Sequence, residues 1–251
     1  MINSYGKLST AFYDLDKPLP PPEAMAFYVQ QALAAGEPIL EPMCGSGRFL
    51  IPIMQQGFDI TGVDSSPDML VACRQRAGQL GLAPHLYQQY LHQMDLPDVY
   101  RFVMIPSGSI CLMTDPTEVR QSLLRLFHYM APGATLSVEI DRWRPPQEET
   151  LPAGEPHFVE MKDGARIVLH SFGKLDVTDR LFQGRNRYDL VQADQILETE
   201  WEDFNLRYYL PEEFSALLAG AGFTNILYHS AYDPEMPEDQ SESIVFICKR
   251  P

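Results

Sequence analysis

Basic charge is scarce in this sequence. Its 251 residues carry 19 Lys and Arg against 34 Asp and Glu, a formal net charge of −15. Such a surface repels phosphate backbones and anionic headgroups, so nucleic acid and membranes are not expected partners. A neutral or cationic small molecule is compatible with it. No run approaches the roughly 20 apolar residues that a membrane span needs, and the opening MINSYGKLSTAFYD lacks the basic-then-apolar layout of a secretory signal. The expected location is the cytoplasm. Cysteine is also sparse: Cys44, Cys73, Cys111 and Cys248 form no C-x-x-C pair and lie in apolar runs or beside glycine. They read as buried free thiols of a reducing compartment. The six histidines show no H-x-x-x-H or H-x-E spacing, so no metal is expected.

What is present is ordinary globular composition, 45% hydrophobic, enough for one α/β domain with an elaboration. The first half alternates β-rich apolar runs with helical patterns, which points to a mostly parallel sheet covered by helices on both faces. Helices are expected over Pro22–Ala35 and Gly47–Gln56. A third starts at Ser66 as N-cap with Pro67 in the first turn, and places Met69, Cys73 and Leu80 on one face. A fourth is capped by Asp115, with Pro116 in its first turn, Glu118 closing a capping box, and Val119, Leu123, Leu126 and Met130 forming its apolar stripe. Strands are expected at PILEPM, FDITGVD, HLYQQY, YRFVMI and TLSVEI, the last ending at Ile140.

The pattern then changes. Residues 143–209 show alternation and turns, with antiparallel strands at ARIVLHSF, RLFQGRNRYDLV and ILETEWEDFNLRYYL. The βα pattern resumes at PEEFSALLAGAGF, followed by strands at TNILYHS and ESIVFIC. Between these two lies the acidic turn AYDPEMPEDQSES, expected to be exposed. The chain therefore reads as a single domain, 1–251, with 143–209 as an inserted antiparallel sheet.

The chemistry concentrates in ILEPMCGSGRFL and GVDSSPDML. Gly45 and Gly47 follow a strand and open a helix, where glycine permits a tight bend and close approach of a ligand. Asp64 ends the next strand, about twenty residues on, where an acid accepts hydrogen bonds from ribose hydroxyls. The third glycine of a dinucleotide G-x-G-x-x-G bend is replaced by Leu50. The acidic Glu41 just before the bend is unfavourable beside a pyrophosphate but favourable beside the ammonium and sulfonium of S-adenosylmethionine (SAM).

These motifs resemble the class I SAM-dependent methyltransferase family, most closely its branch acting on small molecules, which includes sugar-amine N-methyltransferases. Glu41, Gly45, Ser46 and Gly47 match its first motif, Asp64 its ribose acid, FVMIPSGSI its fourth-strand motif, and RYYLPEEFSALLAGAGF its late helix. The resemblance implies a Rossmann-like, seven-stranded, mostly parallel sheet whose last strand is antiparallel, with the insertion after strand 5 as acceptor lid or floor. It implies SAM as cofactor, a small-molecule acceptor and a homodimer through the inserted sheet. It further implies Met43, Ser65, Leu91 and Pro106 in the cofactor pocket beside the residues named above. The position of the family's adenine-binding aspartate holds Tyr90. Adenine then either stacks on an aromatic ring or uses the backbone of Leu91 and His92, or Tyr90 is simply a packed edge residue. Other candidates carry two readings each: Met69 covers adenine or fills core, and Arg48 orients the cofactor carboxylate or is solvated. Tyr13, preferred over Tyr5, caps the cofactor.

On the acceptor side, ligands of open α/β sheets lie beyond the carboxyl ends of the strands. That places Ser107, Ser109, Asp141 and Trp143 there; Tyr208 and Tyr209 are further walls or, the preferred reading, core packing. Trp143 offers a π face to a cation or packs under the insertion, and Asp141 anchors an amine, acts as a base or is solvated. No catalytic residue is assigned, since methyl transfer to an amine or thiol requires no dedicated base. Three rival readings are a non-catalytic SAM-binding sensor or scaffold, an NAD(P)-dependent oxidoreductase and an aminopropyltransferase. The oxidoreductase is disfavoured because the nearest Tyr-x-x-x-Lys, Tyr13 with Lys17, precedes the glycine bend, and the aminopropyltransferase because no paired-aspartate polyamine site stands around the fourth strand.

Overall fold

Strands buried on both faces read as continuous apolar runs, and four such runs build the centre of this molecule. The computed structural model describes residues 5–145, 155–232, 236 and 241–251. In chain order the elements are α1 (Lys7–Asp16), α2 (Pro22–Ala35), β1 (Ile39–Pro42), α3 (Leu50–Gln55), β2 (Ile60–Asp64), α4 (Pro67–Gln79), β3 (His85–Gln88), β4 (Tyr100–Ile105), α5 (Pro116–His128) and β5 (Met130–Asp141). There follow β6 (His157–Glu160), β7 (Arg166–Asp176), β8 (Leu181–Gln192), β9 (Gln195–Arg207), α6 (Pro211–Gly220), β10 (Thr224–Ser230) and β11 (Ser243–Lys249).

Seven strands form one sheet in the order β10-β11-β5-β4-β1-β2-β3. β1 pairs in parallel with β2 and β4, β2 with β3, and β4 with β5. β11 runs antiparallel to both of its neighbours, β5 and β10. The fold is thus the Rossmann-like, seven-stranded, mostly parallel sheet that the sequence motifs imply. One face is packed by Tyr28, Phe49, Leu50, Leu70 and Cys73 from α2, α3, α4 and the bend before α3. The other is packed by Val119, Leu123, Leu126, Phe214 and Leu218 from α5 and α6. All four cysteines are free and buried in these layers.

The strand order reverses between β1 and β4, and this opens a crevice at their carboxyl ends. Two capped helices frame it. Ser66 Oγ accepts the Met69 N–H at 3.1 Å at the start of α4. Asp115 accepts from Thr117 and Glu118 N–H groups at the start of α5. In both, proline in the first turn replaces an N–H that would have no partner.

The remaining strands, β6-β7-β8-β9, form a separate antiparallel sheet between β5 and α6 in the chain. Its inner face packs on α1 through Leu8, Phe12, Ile167 and Tyr188.

Several elements differ from the reading of the sequence alone. α3 starts at Leu50, because Gly45–Phe49 are used by the bend. Leu80 lies one turn too late for the buried face of α4; it ends that helix and is 54% exposed, and Ala77 takes the buried position instead. Met130 is buried, but as the first residue of β5, which starts ahead of the APGA segment. Tyr90 falls beyond the end of β3. Glu118 directs its carboxylate towards His92, 3.9 Å away. α1 and β6 were not expected at all. Most of the acidic turn AYDPEMPEDQSES lies outside the described residues. Its Tyr232 is half-buried against Phe27 and Tyr28, with ring centroids at 5.6 and 6.0 Å.

Candidate cofactor and acceptor site

The crevice deepens into a cavity of about 320 Å³ that runs from the glycine bend to the turns after β3 and β4. Its volume is that of a small-molecule site. Two chain reversals with positive φ shape its floor: Met43 (58°) after β1 and Ser107 (57°) after β4. Non-glycine residues in this region store strain that the surrounding structure must hold in place.

Glu41 is the third residue of β1, paired in register with Gly62, and is 2% exposed. Its carboxylate accepts a backbone hydrogen bond from Leu50, yet Oε2 has no partner. Burial, reinforced by nearby Asp64, pushes its pKa well above the usual carboxylate range. A buried, half-satisfied carboxylate lining a cavity calls for a cationic or hydrogen-bond-donating occupant.

Asp64 closes β2 and is fixed from both sides. Oδ2 accepts the Gly45 N–H and Oδ1 the Ser66 N–H, each at 2.8 Å. Burial raises its pKa, and the N–H groups of Ser66, Gly45 and Ser65 oppose that rise. The same carboxylate therefore ties the bend to the start of α4.

The two glycines of the bend do different work. Gly45 (φ 52°) lines the cavity, and a Cβ on it would touch only Met69 Sδ at an ordinary 3.6 Å. Gly47 (φ 81°) faces the protein: its Cβ would lie 2.6 Å from Cys73 Sγ and 3.0 Å from the Ile51 side chain. Ser46 also turns away from the cavity. Its hydroxyl donates to Asp14 of α1, and Arg76 bonds that same Asp14 at 2.8 Å.

Of the residues singled out from sequence for the cofactor, Tyr13, Glu41, Met43, Gly45, Arg48, Asp64, Ser65, Met69, Leu91 and Pro106 line the cavity; Ser46 and Gly47 support it from behind. Arg48 donates to the Leu19 carbonyl at 2.9 Å and lies against Tyr13, whose pKa burial raises and Arg48 partly restores. Tyr5 lines the cavity together with Tyr13, their rings edge-on at 5.8 Å. At the far end, Leu91–Gln93 form a single 3₁₀ turn. Tyr90 and His92 both line the cavity there, their rings 5.7 Å apart, so Tyr90 is not a packed edge residue.

On the acceptor side Ser107 and Ser109 line the cavity, whereas Asp141, Trp143 and Tyr208 stand behind or beside it. The Ser107 N–H donates to buried Glu139 at 2.6 Å, which holds the strained turn. Asp141 packs against Gly108: a Cβ there would lie 2.6 Å from its carboxylate. Trp143 and Tyr208 contact each other at 6.1 Å between centroids. Tyr209 is 2% exposed and packs on Phe214 in the core.

Burial, with Glu139 and Glu242 nearby, raises the Asp141 pKa to about 6. Its folded-state pKa lies above its unfolded value, so the carboxyl contributes stability below about pH 4 that is lost as pH rises towards 6. Asp141→Asn is expected to raise the thermal midpoint at about pH 8 and to leave it unchanged below about pH 4. Melting curves across this range test it, and a lower midpoint at pH 8 would show that the charged carboxylate is satisfied by a protein partner.

Sequence reasoning missed Cys44, Phe49, Gln89, Gln93, Leu112, Met113 and Glu118, all of which line the cavity. Cys44 and Phe49 sit in the bend motif itself and were legible there. The others come from turns after β3 and β4 and from the start of α5, and nothing in their local pattern marks them as site residues. Among the described residues no group of His, Cys, Asp and Glu is arranged to hold a metal. No helix among them is long and apolar enough to cross a membrane.

A seven-stranded sheet with one antiparallel strand near its edge, a glycine bend after β1 and an acid ending β2 define the class I SAM-dependent methyltransferases. The comparisons agree. Residues 39–133 match the family described as "Methyltransferase domain". The chain is 23% identical to the Geobacillus sp. (strain WCH70) protein GWCH70_2453, which carries a provisional methyltransferase name, over 92% of this chain and 93% of that one. Its fold matches an S-adenosylmethionine-dependent methyltransferase from Clostridium acetobutylicum with a TM-score of 0.76 at 15% identity, covering 94% and 95% of the two chains. It matches the sugar N-methyltransferase KedS8 from Streptoalloteichus with a TM-score of 0.71 at 21% identity, covering 91% and 86%. Residues 39–133 therefore carry a methyltransferase domain, in a chain with the fold of SAM-dependent methyltransferases.

Proposed function

We propose that the protein methylates a small molecule bearing an amine, with the cofactor lying between Tyr90 and the glycine bend and the acceptor beyond Ser107. SAM supplies a methyl group on an activated sulfonium carbon. The chain's own residues bind, orient and exclude water. Asp64 accepts the ribose hydroxyls, and the free Oε2 of Glu41 faces the cationic end of the cofactor. Arg48, beside Tyr13, opposes the cofactor carboxylate. Tyr90, Leu91 and Met69 enclose the adenine.

One observation carries the acceptor assignment: a half-buried carboxylate, Asp141, stands directly behind Gly108, between the two serines that line the acceptor end. A cationic amine entering there comes near Asp141, where Glu139 and Glu242 outnumber Lys17 among the charges in reach, and no basic residue lies among the acceptor-end lining residues. The net charge of −15 points the same way. Trp143 and Tyr208 form the aromatic side of the entrance, and the inserted sheet is its outer wall. The sugar N-methyltransferase activity named for KedS8 is of this chemical class.

The test is turnover of SAM to S-adenosylhomocysteine with a panel of small amines and matched hydroxyl compounds. Turnover is expected with members of the amine set and to fall at least about tenfold in Asp141→Asn, since a desolvated charge pair is worth at least ~1.4 kcal/mol. Turnover confined to hydroxyl compounds, or to protein or nucleic acid, would overturn the proposal.

A further inference from the structure

We infer that Glu200, a residue of the inserted sheet that lines no part of the cavity, is a positioning residue for cofactor binding. The inference rests on the placement of the cofactor proposed above. It starts from a helix that cannot cap itself. The N-cap of α1 is Gly6, which has no side chain to accept the first N–H groups. Glu200 of β9, distant by more than 190 residues in sequence, supplies the missing acceptor. Its Oε2 accepts the Leu8 N–H at 2.9 Å, and its Oε1 accepts the Ser9 N–H at 3.0 Å and the Ser9 hydroxyl at 2.9 Å. The fit leaves no room: a Cβ on Gly6 would lie 2.7–2.9 Å from the three terminal atoms of Glu200.

The residue just ahead of this cap is Tyr5, which lines the cavity. Its backbone has a positive φ of 61°, a conformation that must be held. Two clamps hold it. Its N–H donates to Glu202 Oε1 at 2.7 Å, and Glu202 is itself buried under Tyr188 and Asn186. Its carbonyl accepts from Ser66 Oγ at 2.6 Å, and Ser66 is the cap of α4 two residues after Asp64. At the other end of α1, Asp14 binds Arg76 and Ser46 behind the glycine bend. α1 thus spans from the inserted sheet to the cofactor bend, with Tyr5 and Tyr13 as its contribution to the cavity wall. The carboxylates of β9 fix one end of that wall. Cofactor affinity and the inserted sheet are therefore linked through α1, and binding must in turn steady α1 by the same factor.

The experiment uses the full chain and titration calorimetry with S-adenosylhomocysteine. Glu200→Ala is expected to weaken binding by about tenfold and Glu200→Gln by less, because an amide keeps one acceptor oxygen. Gly6→Ala attacks the same contact from the opposite side without replacing a residue of the sheet, at a φ of −80° that alanine adopts freely. It is expected to weaken binding as well. The double variant Gly6→Ala/Glu200→Ala should be no weaker than Glu200→Ala alone, since both remove one interaction. In the wild type the ligand should slow hydrogen exchange over residues 5–16, and this protection should shrink in Glu200→Ala. Affinity within twofold of wild type in Glu200→Ala, additive losses in the double variant, or a lowered thermal midpoint with unchanged affinity would each overturn the inference. Should Glu200→Ala fail to fold, Gly6→Ala and Glu200→Gln decide by the same criteria. Asp64→Ala run in parallel separates the two readings. If it also retains full affinity, the placement of the cofactor fails; if it loses affinity while Glu200→Ala does not, only the role of Glu200 fails.

Discussion

Asp64→Ala is expected to weaken S-adenosylhomocysteine binding by at least about a hundredfold while the protein stays folded. A hydrogen bond to a charged group contributes about 1.5–3 kcal/mol, and a ribose diol offers two. With about 1.4 kcal/mol per tenfold, even the lower bound exceeds two decades. The substitution also releases the Gly45 and Ser66 N–H groups, so the bend loses its tie to α4. Asp64→Asn, which keeps one acceptor oxygen for the backbone, should fall between alanine and wild type. Calorimetric titration checks this, and near-unchanged affinity would remove Asp64 from the site. Burial raises the pKa of this carboxylate, and only the charged form is the strong acceptor. Affinity should therefore fall as pH drops through that raised value.

Gly47→Ala should act on stability instead. Alanine there must adopt a φ of 81° and place its Cβ 2.6 Å from Cys73 Sγ. Backbone strain and overpacking each cost about 1–3 kcal/mol, together about 2–6 kcal/mol. At about 2–4 °C per kcal/mol for a chain of this size, that is a fall of roughly 4–24 °C in thermal midpoint. Gly45→Ala, with only Met69 Sδ nearby at 3.6 Å, should melt much closer to wild type but bind S-adenosylhomocysteine more weakly, because its methyl group faces the cavity. Melting curves with and without ligand distinguish the two. A Gly47→Ala midpoint within about 2 °C of wild type would mean that the bend does not press on α4.

That contrast marks how far the sequence could be read. Both glycines carry the same signature, a small residue between strand and helix, and only the third dimension separates the one that faces the cavity from the one that faces Cys73. The sheet was legible because β1, β2, β4 and β5 are apolar on both faces and because Ser66-Pro67 and Asp115-Pro116 are capping signals complete within a few residues. The cavity lining near β1 and β2 was legible for a related reason. In a parallel sheet all the strand ends that matter point one way, so the residues after β1, β2 and β4 are collected by topology alone. What escaped depends on partners distant in sequence. α1 is short and carries no cap of its own; its acceptor lies on β9. Gln93, Met113 and Glu118 reach the cavity from turns whose local pattern is that of ordinary packing. Trp143 and Tyr208 sit at strand ends too, but the entry to the inserted sheet carries them beside the cavity rather than into it.

The position of β11 between β5 and β10 has a consequence for how the molecule is made. β5 is complete at residue 141, yet its partner on that side starts at residue 243. While the ribosome synthesises the roughly hundred residues between them, at about 5–20 residues per second, Leu136, Val138 and Ile140 lie on an open sheet edge for several seconds. The inserted sheet and α6 emerge during that interval. The nascent chain is thus most open to edge-to-edge association just before its last strand arrives.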